Sequence, residues 1–260
     1  MLNRSIFISL FLSSTLALAQ GGGHGASARS LDAPSTLPIV FTKTISANNA
    51  HVGDAVTAKT SQVVHLSNGA VIPVGAKVSG HVIATGSFVY DKTPYAHQKP
   101  SSLSVQFDTV QVGESTLPLH VTIRAMADPI TSGEARTPLS TDVDPQGTVT
   151  QIGGDRLTPS QAEVVSSDGD IVAYNKRGGV YAHLIANGSC DGSDVEVSVG
   201  LYSASACGLY GFTQVSATER GSFAKPSVLT LVSTHVSPKI WKNSTALLEE
   251  LPTQQSIASR

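Results

Sequence analysis

Charge, aromatic side chains and cysteine are all scarce in this chain. Only 14% of its 260 residues are charged, against about a quarter in an average globular protein. Its 17 Lys and Arg nearly balance 19 Asp and Glu, for a net charge of −2. No basic footprint exists for nucleic acid, which is therefore not expected as a partner. A hydrophobic content of 40% is too high for a solvated, disordered polyelectrolyte. Beyond the N-terminus no apolar run approaches the ~18 residues of a spanning helix, so no membrane span is expected in the mature chain.

The usual catalytic signatures are missing as well. The sequence has no G-x-S-x-G elbow, no H-E-x-x-H, no phosphate-binding G-x-x-x-x-G-K-[ST] and no G-x-G-x-x-G opening a helix. Eight histidines (His24, His51, His65, His81, His97, His120, His183 and His235) are scattered, none at helical i, i+4 spacing. No metal site and no cofactor are expected from them. Asp168-Gly169-Asp170 and Asp191-Gly192-Ser193-Asp194 carry oxygens that suit calcium. Neither follows the calcium-loop spacing, and Asp beside Gly reads as a turn.

The N-terminus carries a clear pattern. Arg4 precedes an apolar stretch from Ser5 to Leu16, and Ala17-Leu18-Ala19 is a small-residue cleavage site. This reads as a secretory signal peptide over 1–19, cut between Ala19 and Gln20. Its removal takes away one cation, Arg4, and leaves 16 against 19. The expected location is the periplasm or the extracellular space. In such an oxidising compartment Cys190 and Cys207, with sixteen residues between them, are expected to form a disulfide. A nucleophilic Cys207 would need a base, and His183 and His235 are the local candidates. The small-residue run Ser203–Gly208 reads instead as close backbone packing, so no catalytic residue is assigned. Tyr202, Tyr210, Phe212 and Trp241 suit a core better than an exposed platform in so aromatic-poor a chain.

The rest divides by pattern. Residues 20–37 form a Gly-, Ser- and Ala-rich flexible leader. Residues 38–126 read as a β domain. Asn68-Gly69 between apolar runs signals a hairpin, and Val74 to Val82 alternates with Gly and Pro breaks that suggest a bend or bulge. Leu117, Leu119, Val121, Ile123 and Ala125 alternate with His120, Thr122 and Arg124, a half-buried strand with a single apolar face. Residues 127–163, punctuated by Pro129, Pro138, Pro145 and Pro159, read as a linker or long loop. One helical turn is expected at Thr158-Pro159-Ser160-Gln161. Residues 164–251 form a second β block, in which Ser244–Leu251 fits helix or strand, and 252–260 a loose tail. The expected fold class is mainly β, a barrel or sandwich of antiparallel strands in two blocks joined by a Pro/Gly-rich linker.

One segment is similar to a known family. Val52-Gly53-Asp54-Ala55-Val56-Thr57-Ala58 is followed by Gly69-Ala70-Val71-Ile72-Pro73-Val74-Gly75-Ala76-Lys77-Val78-Ser79-Gly80. Ser102 to Val110 and Leu117-Pro118-Leu119 come next. In this order they resemble the C-terminal β-barrel domain of the TrbI-like scaffold proteins of conjugation and type IV secretion, over about residues 50–126. The family's membrane helix and Pro-rich arm are replaced here by a cleavable signal and a Gly-rich leader, and no amphipathic insertion suits a pore. The resemblance thus implies a β-barrel or sandwich in the cell envelope rather than a secretion channel. The expected function is a non-enzymatic envelope module with structural or protein-binding work and protein partners. A carbohydrate- or cell-wall-binding β domain is the alternative. The sequence leaves the oligomeric state open.

Overall fold

The structure, a computed structural model, describes residues 35–66, 71–94, 97–137, 145–176, 179–183 and 194–251. The signal peptide with Ala19 and Gln20, most of the leader, Asn68-Gly69, Cys190 and the tail lie outside the described residues.

The fold is mainly β, and its strands are β1 (Thr36–Phe41), β2 (Ile45–Ser46), β3 (Ala55–Thr60), β4 (Val64–His65), β5 (Val71–Ile72), β6 (Lys77–Gly86), β7 (Ser101–Val112), β8 (Ser115–Pro118) and β9 (Val121–Ala127). After helix α1 (Pro129–Arg136) come β10 (Val149–Thr150), β11 (Arg156–Leu157), β12 (Glu163–Val165), β13 (Ile171–Lys176), β14 (Gly179–His183) and β15 (Asp194–Val197). The last are β16 (Gly208–Tyr210), β17 (Ser216–Arg220), β18 (Val228–Ser233), β19 (Lys239–Ile240) and β20 (Thr245–Glu250). The large sheet runs β16-β9-β20-β1-β3-β6-β7-β18-β17, with β8 paired to β7. A six-stranded meander, β10 to β15, forms a second sheet. Thus 208–250 completes the sheet begun by 36–127, whereas the sequence leaves open whether the second block stands alone or completes the first. Residues 245–250, open between helix and strand, form β20 because their apolar side chains are buried between β1 and β9.

The expected bend in β6 is present. Its pairing with β7 slips at Ser79/Gly80 and again at Val82/Ala84. A Cβ on Gly80 would run into the backbone oxygen of Gln106, so only glycine allows this approach. The inner face packs Phe41 against Phe107, with ring centroids 6.1 Å apart. The hairpin of β4 and β5 pairs Val64 with Ile72 on either side of the expected Asn-Gly turn.

The large sheet curls until its far strands approach each other without a ladder, so among the described residues it is not a closed barrel. The seam is bridged by Ser227, held in the left-handed region at φ 62. Its N–H donates to Val121 O (2.8 Å), while its hydroxyl accepts from Val121 N (3.1 Å) and donates to Leu119 O (2.7 Å). The Thr122 hydroxyl donates to Arg220 O across the same seam (2.9 Å).

Strand β9 departs from the expected single apolar face. Its pairing with β20 slips so that Ala125 faces Leu247 and Ile123 faces Leu248, leaving Arg124 as the extra residue of a β-bulge. Val121, Ile123 and Met126 join the interior of the curled sheet. Ala125 and Ala127 turn to the other face, where a second apolar cluster includes Ile152, Val164, Val172, Tyr202 and Leu247. The central strands are therefore buried on both sides, and the packing is sandwich-like here.

The expected linker holds ordered structure. Helix α1 starts at Asp128, whose carboxylate accepts from Thr131 N (2.8 Å), with Pro129 in the first turn. The helical turn expected at 158–161 is a turn without helix.

Candidate functional site

The loop from Tyr202 to Cys207, which precedes β16 and carries the cysteine singled out in the sequence, is held by buried polar side chains that motif reading does not mark. Arg124 projects from its bulge beneath this loop and is only 2% exposed. Its Nε donates to Ala206 O (3.2 Å) and its Nη2 to Ala204 O (3.1 Å). Its Nη1 pairs with Glu249 Oε2 at 2.7 Å. Asp155, also buried, accepts from Ala204 N through Oδ2 (2.9 Å), and its own N–H donates to Ser203 Oγ (2.8 Å). A parallel bridge between Ile152 and Tyr202 locks the two loops together. Tyr202 is buried, and its hydroxyl meets Thr245 Oγ1 (2.7 Å), which meets Ser132 Oγ (2.9 Å). Burial raises the Tyr202 phenol well above its ordinary range.

This network holds backbone. The guanidinium holds two loop carbonyls and one carboxylate, the Asp155 carboxylate holds a backbone N–H, and the Ser203 hydroxyl accepts another. Among the described residues Ser203 has no histidine partner. His183 ends β14 in the six-stranded sheet. His235 follows β18, and its Nδ1 meets the Thr234 hydroxyl (3.2 Å). Both histidines lie on other elements than the loop that carries Cys207. The Cys207 backbone N–H donates to the Tyr210 hydroxyl (3.2 Å), and its Sγ accepts from Arg220 Nη1 (3.3 Å). Because Cys190 is not among the described residues, its pairing with Cys207 stays an expectation.

Burial raises the Asp155 carboxyl, and the hydrogen bond from Ala204 N opposes that rise. The folded chain therefore disfavours the charged form, and the resulting destabilisation grows as pH rises from the ordinary value of 3.8 through the raised one. Asn keeps an acceptor for the Ala204 N–H without the charge. Asp155→Asn should unfold at an equal or higher urea concentration than the parent at pH 7, and the gain should vanish below pH 4. Loss of stability at pH 7 would contradict this assignment.

Other sequence candidates lie apart. His81 Nδ1 meets Asp108 Oδ2 at 2.8 Å on the outer face of β6 and β7, both half-exposed. The Asp168-Gly169-Asp170 segment turns β12 into β13, with both aspartate N–H groups donating to Ser166 Oγ. Among the described residues no three His, Cys, Asp or Glu gather where they could hold a metal ion. Phe212 and Trp241 pack together at 5.6 Å, with Lys239 Nζ 5.9 Å over the Trp241 ring. With Tyr202 and Phe212 buried, the four aromatics form no exposed platform.

A different surface was missed by motif reading. One end of the large sheet gathers the loops 42–54, 87–100 and 234–243. Phe88 N donates to Ser237 Oγ (2.7 Å), the Ser101 hydroxyl to Val236 O (2.6 Å), Thr85 Oγ1 to Ala47 O (3.1 Å) and Lys242 N to Thr44 Oγ1 (2.9 Å). These bonds bring the loops together at that end. Yet Val52 is 69%, Val89 74% and Tyr90 64% exposed. The loop beneath Tyr90 is built to hold its shape. The buried Gln98 amide donates to Asp91 O (3.0 Å) and Thr93 O (2.7 Å), and Asp91 accepts from Thr93 N (2.7 Å). The hydrogen bonds from the Thr93 hydroxyl and backbone hold the Asp91 carboxyl below its ordinary range. The available signal was Phe88-Val89-Tyr90 standing between a strand and a polar, Pro-bearing loop, too short to count as a strand of its own.

Comparison with protein-family models, curated proteins and solved structures finds no match.

Proposed function

We propose that the chain is a non-enzymatic module of the cell envelope, exported by its N-terminal signal and working through contact with other components. The observation that supports this most is the contrast between its two polar regions. The buried side chains best suited to chemistry (Arg124, Asp155, Ser203) are occupied in holding backbone, whereas the rigid loop end presents apolar side chains to solvent. Exposed apolar side chains on an ordered frame mark contact surfaces. The resemblance of residues 50–126 to envelope scaffold proteins, read from the sequence motifs, supports the reading and suggests protein partners in the envelope. Tyr202, Tyr210, Phe212 and Trp241 offer the carbohydrate-binding alternative no exposed platform. Purified protein should show no sustained turnover on panels of ester, peptide and glycan substrates. Steady turnover abolished by a single point substitution, in a variant that melts like the parent, would overturn the reading.

Export also entails the disulfide between Cys190 and Cys207. A closed loop of this size contributes about 3 kcal/mol. Cys190→Ser should lower stability by about that amount in non-reducing buffer. An unchanged denaturation curve, or two titratable thiols in the parent, would contradict it.

A further inference from the structure

We propose that the loop end of the large sheet docks onto an anionic lipid bilayer. This names the partner of the contact surface described above and rests on that surface, not on the identity of any protein partner. The three loops carry Lys43, Lys92, Lys99, Lys239 and Lys242 against only Asp54 and Asp91. That is five of the chain's nine lysines and a local excess of three positive charges in a chain of net charge −2. Lys43, Lys92, Lys99 and Lys242 are exposed, and none forms an ion pair among the described residues. Both carboxylates are engaged locally, Asp54 by His51 N (2.8 Å) and Asp91 by Thr93 and Gln98. Acidic residues stand elsewhere, as the six-stranded sheet and its turns hold Glu163, Asp168 and Asp170.

Apolar tips on loops that also carry five lysines suit a bilayer surface. Val52, Val89 and Tyr90 can enter the headgroup region, where tyrosine is favoured, and apolar area is buried there. Each nearby lysine adds about 1 kcal/mol against an anionic leaflet. The tips come from two separate turns, and a planar, deformable partner meets both without a matching rim of fixed hydrogen bonds. An acidic protein would need that rim, and the exposed lysines here form no ion pair among the described residues.

The test is flotation of the mature, full-length protein with vesicles of phosphatidylcholine alone or mixed equally with phosphatidylglycerol. The protein should float only with the anionic vesicles, and molar salt should release it. Val89→Ser with Tyr90→Ser, and separately Lys92→Glu with Lys99→Glu, should each lower partitioning at least tenfold while leaving the melting curve unchanged. No flotation, or flotation that ignores both variants, overturns the proposal. Binding to soluble acidic polymers but not to vesicles overturns it too and assigns the surface to an acidic macromolecule. The native assembly of the protein is a separate readout, so vesicle binding can fail while the envelope-module reading stands.

Discussion

Arg124→Ala should destabilise the protein by about 3–5 kcal/mol, the largest single effect expected here. The guanidinium is buried, so truncating it leaves the Glu249 carboxylate without its 2.7 Å partner and the carbonyls of Ala204 and Ala206 without their donor. Breaking a buried pair from one side costs that much, because an uncompensated charge stays behind. Removing both charges should cost less. Arg124→Met with Glu249→Gln should recover a substantial part of the loss, since an apolar or neutral replacement escapes the desolvation penalty. Urea denaturation of the three proteins measures both effects. If Arg124→Ala lost under 1 kcal/mol, the guanidinium would not be the element that holds the 202–207 loop.

Gly221→Val is the second large effect, about 2–5 kcal/mol. Gly221 lies at φ 90, a conformation side chains with a β-branch rarely adopt. A Cβ there would also run into the Val121 carbonyl oxygen across the seam. Left-handed strain of about 1–2 kcal/mol and overpacking of about 1–3 kcal/mol act together. The seam itself is the point of the prediction. It is made by Ser227 and Thr122 rather than by a strand ladder, so pushing it apart should expose the interior of the curled sheet. Amide exchange at Val121 and Ser227 should accelerate in the variant more than exchange in β1 and β3. A variant as stable as the parent would mean that the two edges do not meet as described.

These two residues also show where sequence reading stops. The alternation from Leu117 to Ala125 marked strand, because period-two burial is local information, but it read as one strand what the structure divides at Leu119-His120 into β8 and β9. It could not show the bulge at Arg124, which exists only because β20 pairs there. That slip sends Ala125 and Ala127 to a second core and makes Arg124 a buried residue instead of a surface one. The helix after β9 was legible in principle from Asp128-Pro129, a cap followed by proline in the first turn, but proline also punctuates loops and was read that way. Strand β17, Ser-Ala-Thr-Glu-Arg, has no apolar face to mark it, and pairing with β18 makes it a strand. The separation of 36–127 from 208–250 by an intervening sheet hid their union, since no local pattern reports a partner a hundred residues away. Of the functional surfaces, the Cys207 segment was visible as a run of small residues, and its tight packing is what the structure describes. The loop end was not visible, because its lysines and apolar tips come from three stretches that only the fold brings together.

The measurement that bears most directly on the reading of this chain as a contact module is the native mass of the untagged protein in an extract of its own envelope. Native gel electrophoresis or light scattering would suffice. The account predicts a discrete assembly well above the mass of a single mature chain, from which the other components can be identified. A free monomer in that extract would contradict it.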